Sequence, residues 1–195
     1  MEKLPTRFVL SIRPQEYLKQ GLSHCGVYSV KAILSAYGRD LKKRPEDYHT
    51  SWFERLTGIA LTRQYVANIL QKNGLSTTVE TARELSDEGK LNTLKQILSS
   101  NTPVLLSIGN GYRSDGSYNP IRARIIGHFI TLWGYDDKKQ VFYVYDSCVP
   151  KDRYDKTSPI GNTKRTYPQI IRDWKTALSI RLLGGQDCAY IKIHR

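Results

Sequence analysis

The chain has 195 residues, 39% hydrophobic and 25% charged, with a formal net charge of +12. Such a chain builds a core without covalent staples, and no stretch is apolar enough to span a membrane. Its three cysteines, Cys25, Cys148 and Cys188, are odd in number and irregular in spacing, which argues against a disulfide framework. Together with a start that lacks a signal-peptide run, this predicts a cytoplasmic protein in a reducing compartment. The basic balance favours anionic partners such as nucleic acid, an acidic membrane surface or acidic polypeptides, or it serves solubility.

In chain order, residues 24–37 read as a helix, with Val27, Val30, Ile33, Leu34 and Tyr37 at helical spacing and Gly38 as its stop. Pro45 opens a second helix that runs to Gly58, with Tyr48, Trp52 and Leu56 on its inner face. Thr62 caps a third, where Val66, Ile69 and Leu70 point inward and Gly74 ends it. A short strand follows near 76–80. Leu91, Leu94, Ile97 and Leu98 mark a fourth helix that ends before Pro103.

Beyond that point the texture changes. "PVLLSIG" (103–109), "RIIGHFITLWGYD" (124–136), "QVFYVYDS" (140–147) and "CAYIKIHR" (188–195) are β-branched and aromatic runs bounded by turn residues. A short helix at 168–178 interrupts them. Helices first and strands later predict an α+β fold in one domain over 1–195, a helical lobe (about 15–100) packed on an antiparallel sheet lobe (about 101–195). Two long connections, 110–123 and 148–167, are rich in Gly, Asn, Ser and Pro, as binding loops and lids often are.

The strands at 124–136 and 140–147 form a hairpin. With its turn centred near Asp137, His128 and Asp146 are equidistant from the tip and directly opposite if the hairpin is regular. A one-residue slip would put them on opposite faces. Among apolar neighbours each needs a polar partner, so a carboxylate–imidazole pair is expected. It serves equally as a satisfied core pair or as a catalytic base with its orienting acid. His24, His49 and His194 have no comparable context and read as surface or loop residues.

Cys25 stands at the start of the first helix, with Ser23 as the expected N-cap and Gly26 allowing a close backbone approach. A helix N-terminus and a nearby imidazolium both favour a thiolate, and an orienting carboxylate completes a triad. Gln20 offers a side-chain NH₂ to an oxyanion, alongside the Cys25 backbone N–H. Taken singly, Cys25 is a packing residue and Gln20 a surface residue; the combination points to acyl chemistry.

These residues resemble a family. "QGLSHCGVYSVKAILSAYG" (20–38), "GHFITLWGYD" and "VYDS" look like the papain-like cysteine peptidases, in particular the bacteriocin-processing C39 type and its stand-alone relatives. The resemblance implies a papain-like fold, with Gln20 as oxyanion donor, Cys25 as nucleophile, His128 as general base and acid, and Asp146 as orienting carboxylate. It departs from the family's look at His24, where Asp often precedes the "CG", at Ser147, where Pro often follows the Asp, and in its long loops. Gly184-Gly185 in "LLGGQD" echoes the double-glycine cleavage signal and reads as a loop before the last strand.

A peptide or protein is then the expected substrate, with no metal or organic cofactor. Zinc and nucleotide sites lack the required spacings. Two alternatives remain at the sequence level. One is an inactive papain-like module gripping an anionic partner with Arg113, Arg122, Arg124, Lys151, Arg153, Lys164 and Arg165, aided by Tyr112, Tyr118, Tyr154 and Tyr167. The other is acyl or peptidyl transfer by the same triad. Cys148 and Cys188 receive no role.

Overall fold

The computed structural model describes residues 3–21, 23–39, 42–58, 62–113, 115–175 and 187–194. Its framework is a seven-stranded antiparallel sheet ordered β2-β7-β3-β4-β5-β6. These strands are β2 Ser76–Thr81, β3 Val104–Gly109, β4 Gly127–Asp136, β5 Val141–Tyr145, β6 Thr163–Thr166 and β7 Ala189–His194. The remaining strand, β1 (Arg7–Val9), pairs with β4 from Gly134 to Asp136, where β3 has already ended at Leu132. The fold is α+β, with helices packed on the sheet.

The first helix, α1 (Cys25–Ala36), is buried from Gly26 to Ser35 and packs on β4. Its near-continuous burial follows from contact with the sheet on one side and with α3 (Arg63–Lys72) and the Pro45–Tyr48 turn on others. Thr62 caps α3 by accepting from the Tyr65 N–H, and Val66, Ile69 and Leu70 are buried as their spacing requires. α4 (Asp87–Ser99) is capped by Ser86 and buries Leu94, Ile97 and Leu98.

The region 45–58 is not one helix. A 3-10 turn over Pro45–Tyr48 ends at His49, and α2 (Trp52–Thr57) starts afresh. Ser51 and Glu54 form a reciprocal capping box, which satisfies the orphan N–H groups of a new helix start and so breaks the longer one. Tyr48 is buried as expected, but Trp52 and Leu56 are 75% and 73% exposed. β1, β6 and α5 (Pro120–Ile125) are additions to the expected elements. α5 takes Arg124 and Ile125 out of the expected strand, because Asn119 caps it from one side and Pro120 fits its first turn. α6 (Tyr167–Trp174) begins with a Thr166–Gln169 capping box. The last residues of the expected 168–178 helix and the Gly184-Gly185 loop lie outside the described residues.

Candidate active site

His128 is the second residue of β4, beside Ile108 of β3, and Asp146 is the first residue after β5. They are not directly opposite. From the tip inward the register runs Asp136↔Val141, Tyr135↔Phe142 and Gly134↔Tyr143, which, if continued, would put His128 and Asp146 on opposite faces. A bulge at Trp133 then shifts the pairing to Leu132↔Val144 and Thr131↔Tyr145. The turn is offset by an odd number of residues from the one expected, and the bulge adds one more. The two irregularities cancel, so both side chains share a face as diagonal neighbours. His128 Nε2 and Asp146 Oδ1 are 2.8 Å apart, and both residues are buried.

Gly134 marks where β1 crosses close to this bulge. A Cβ there would meet the Phe8 carbonyl oxygen at 2.4 Å, so a side chain would push β1 off the β4 edge.

Asp146 is held from several directions. Its backbone N–H donates to Asn162 Oδ1, and Asn162 Nδ2 donates back to its carbonyl, both at 2.9 Å. The Cys148 N–H donates to Oδ1 at 2.9 Å, and Arg165 Nη2 donates to Oδ2 at 2.5 Å. Arg165 is itself buried and reaches Asp173 Oδ2 through Nη1 at 3.0 Å. Asp173 also accepts from Arg172 Nε and the Tyr118 hydroxyl, each at 2.8 Å.

Burial opposes the charged form of Asp146, but His128, Arg165 and the Cys148 N–H outweigh it and hold the carboxyl well below the usual carboxylate range. Burial likewise disfavours the imidazolium of His128. Negative charge on Cys148, Asp146 and Cys25 overcomes that and raises its pKa well above the ordinary value.

Cys25 opens α1 as its first residue and is partly buried. The N-cap is His24, not Ser23, and it makes no side-chain capping bond. Its imidazole instead turns toward α2, where Nε2 lies 3.0 Å from the Arg55 carbonyl oxygen. Gly58, at φ +70°, ends α2 against the same spot, and a Cβ there would sit 2.7 Å from the Ser23 carbonyl carbon. Upstream, the chain straps across the end of β5. The Tyr145 hydroxyl donates to the Leu18 carbonyl at 2.7 Å, and the Gln20 N–H donates to the Ser147 carbonyl at 2.9 Å. Ser147 Oγ donates to Gln20 Oε1 at 2.5 Å, which fixes the amide and turns its NH₂ away from that bond. Gln20 is therefore a buried residue, anchored beside the residue that follows Asp146.

Cys148 is the addition that the sequence did not assign. Its Sγ lies 3.9 Å from His128 Nδ1 and accepts from Asn110 Nδ2 at 3.8 Å. No hydrogen bond joins Cys25 to His128 among the described residues, although Cys25 acts on the imidazole electrostatically. Thus two thiols bear on one histidine. Ligand atoms of His128, Asp146 and Cys148 lie within 4.8 Å of one another, a spacing that could hold a metal ion. Arg165 on the second Asp146 oxygen places a fixed positive charge against such an ion. Cys188 is buried away from the pair, and burial pushes its thiol up.

Other expected surface residues turn inward. His49 is buried, with Nδ1 3.1 Å from the Tyr65 hydroxyl. Arg165, expected on a basic loop, is buried in the ion network. Tyr112 and Tyr118 lie under guanidiniums, with Arg165 4.4 Å and Arg172 3.5 Å from the respective ring centroids. The Tyr154 hydroxyl donates to the Tyr17 carbonyl, and Tyr167 is buried against Asp137. These four rings have partners within the chain. Among the described residues, no helix is long and apolar enough to cross a membrane.

No curated protein matches the chain significantly. Solved structures do match. A C39-like peptidase from Bacillus anthracis superposes with a TM-score of 0.56 at 12% identity, over 97% of this chain and 98% of that one. A double glycine motif protease from an AMS/PCAT transporter, in complex with the leader peptide, gives 0.54 at 12% identity over 96% of each chain. Xylellain, a cysteine protease from Xylella fastidiosa, gives 0.54 at 13% identity over 98% of this chain and 86% of that one. Identities this low establish a shared papain-like fold. The Peptidase_C39 like family model matches residues 9–174, most of the sequence, and the chain belongs to that family of cysteine peptidases.

Proposed function

We propose that this chain, as one cytoplasmic domain, cleaves peptide bonds through Cys25, His128, Asp146 and Gln20. Cys25 Sγ attacks the scissile carbonyl, and His128 carries the thiol proton to the leaving amine as the C–N bond breaks. Water, deprotonated by the same imidazole, then releases the acyl group as a carboxylic acid. The Gln20 NH₂ and the Cys25 N–H stabilise the oxyanion, and Asp146 keeps the imidazole oriented.

The observation that carries this reading is the buried His128–Asp146 bond at 2.8 Å, which uses Nε2 and leaves Nδ1 to meet a thiol. The Ser147–Gln20 bond supports the oxyanion role, because it uses the amide oxygen and leaves the donor end for substrate. Cys25 is favoured as nucleophile because it opens α1, where the first backbone N–H groups have no partner within the helix and negative charge is stabilised. A second reading gives the attack to Cys148, whose sulfur is 3.9 Å from His128 Nδ1.

Alkylation by iodoacetamide, mapped by peptide mass, separates the two in the wild type, Cys25→Ala, Cys148→Ala and His128→Ala proteins. The expected result is fast labelling of Cys25 near neutral pH that slows when His128 is replaced, with peptide cleavage lost in Cys25→Ala and kept in Cys148→Ala. Cleavage that survives Cys25→Ala and fails in Cys148→Ala would move the nucleophile to Cys148. If neither Cys25 nor Cys148 labels faster than an unfolded thiol, the peptidase reading is overturned.

A further inference from the structure

The two long loops flanking the site meet around a cavity of about 390 Å³. Cys148 and Asp146 form part of its wall, so it opens beside His128. Arg113 comes from the first connection and Arg122 from α5 that follows it, Arg153 from the second connection, and Lys164 and Arg165 from β6, with Arg165 at the Asp146 side. The loops touch there: a Cβ on Gly116 would lie 3.4 Å from Arg153 Nη1.

The charges do not cancel. Arg165 is consumed by Asp146 and Asp173, and Lys164 by Asp155 at 2.9 Å. Arg113 and Arg153 act together on one carboxylate, Asp115, which is itself tied to Ser117. Arg122 is exposed, and among the described residues no carboxylate forms a salt bridge with it. Three exposed guanidiniums thus line a small concave site, where Asp115 is shared by two of them and Asp146, in the wall, is held by Arg165.

We propose that this cavity is a specificity subsite for an aspartate or glutamate side chain of the peptide substrate, bound by Arg113, Arg122 and Arg153. The inference rests on the peptidase reading above and names its substrate class. Guanidiniums pair with carboxylates through two parallel N–H···O bonds, which suits a side-chain carboxylate better than a diffuse anion. The volume, at the small end of the range for small-molecule pockets, has room for a short peptide segment and not for an extended nucleic-acid track. The Cys148 wall places the bound carboxylate on the His128 side of the site.

Cys148, on the cavity wall, is an internal reporter. The rate of its alkylation by anionic iodoacetate, relative to neutral iodoacetamide, measures the pull of the pocket on a carboxylate. The expected ratio exceeds that of the urea-unfolded chain by roughly tenfold, falls with salt, and is lost in Arg113→Glu/Arg153→Glu. The milder Arg153→Gln, at an exposed position, loses part of it. An octapeptide containing Asp should slow the labelling of Cys148, and its Asn counterpart should not.

A ratio unchanged by charge reversal, equal protection by both peptides, stronger protection by a single-stranded octanucleotide, or a Cys148 reached by neither reagent would each overturn the subsite. If instead no peptide is cleaved through either Cys25 or Cys148 while the Cys148 ratio behaves as expected, the peptidase reading fails and the carboxylate site stands.

Discussion

The two sides of the site are held differently. On the sheet side, Asp146 takes bonds from His128, Arg165, Cys148 and Asn162, and Arg165 extends the network to Asp173. On the helix side, Cys25 starts α1 without a side-chain cap, and Gln20 is tied by two contacts to Ser147. The proposed base is over-determined, whereas the proposed nucleophile and oxyanion donor rest on a strap that crosses from the helix to the sheet. Errors in the first should cost stability and activity together. Errors in the second should cost activity first.

The sharpest test removes Arg165. Arg165→Met leaves Asp146 and Asp173 buried with fewer counter-charges and should destabilise the chain by about 3–5 kcal/mol, read by urea unfolding. If it unfolds no more easily than wild type, the sheet side is not held as described. Under the proposed mechanism, Gln20→Ala should lower kcat on any peptide found by about 10²–10³, the loss of one oxyanion donor, with a stability cost of only about 1 kcal/mol from the broken Ser147 bond. Equal loss of both would make Gln20 a packing residue.

The pH dependence follows from opposite shifts. Asp146 is lowered, so its contribution is complete above about pH 4 and is lost as pH falls through its folded value. His128 is raised, so its contribution is complete below about pH 6.5 and is lost as pH rises through its folded value. Melting curves of wild type and Asp146→Asn should therefore converge in acid, and those of wild type and His128→Asn in base. A gap independent of pH would remove the electrostatic account. Ser147→Ala should cost about 1 kcal/mol and lower kcat by freeing the Gln20 amide. Trp52→Ser, on an exposed helix face, should stay within about 0.5 kcal/mol.

Much of this was legible from residue patterns. Helical spacing located α1, α3 and α4, and β-branched runs located β3, β4, β5 and β7, because those elements bury a regular apolar face. β6, "TKRT", has no apolar alternation, since it contributes Arg165 to an ion network instead of a hydrophobic layer. The His128–Asp146 pair was predicted for an incomplete reason: the hairpin is irregular, and turn and bulge offset each other. Cys148 could have been found from its place two residues after Asp146, where its N–H returns to the carboxylate in a tight turn. Asp173 and Asn162 carried no such signal, because Asn162 meets Asp146 only through the chain's return toward β6, and Asp173 meets Arg165 and Tyr118 only through the packing of α6.

The bulge at Trp133 makes the site sensitive to chain length at a distance. The tip over residues 137–140 lies well along the strands from His128, and its lysines are solvent-facing. A deletion or insertion of one codon there that shifted the strand pairing by one residue would nonetheless rotate Asp146 to the other side of the hairpin unless the bulge were lost or gained with it. Changes of two residues leave the alternation intact. Loop-length variation in relatives should therefore come in even steps at this tip, or travel with a change at the bulge.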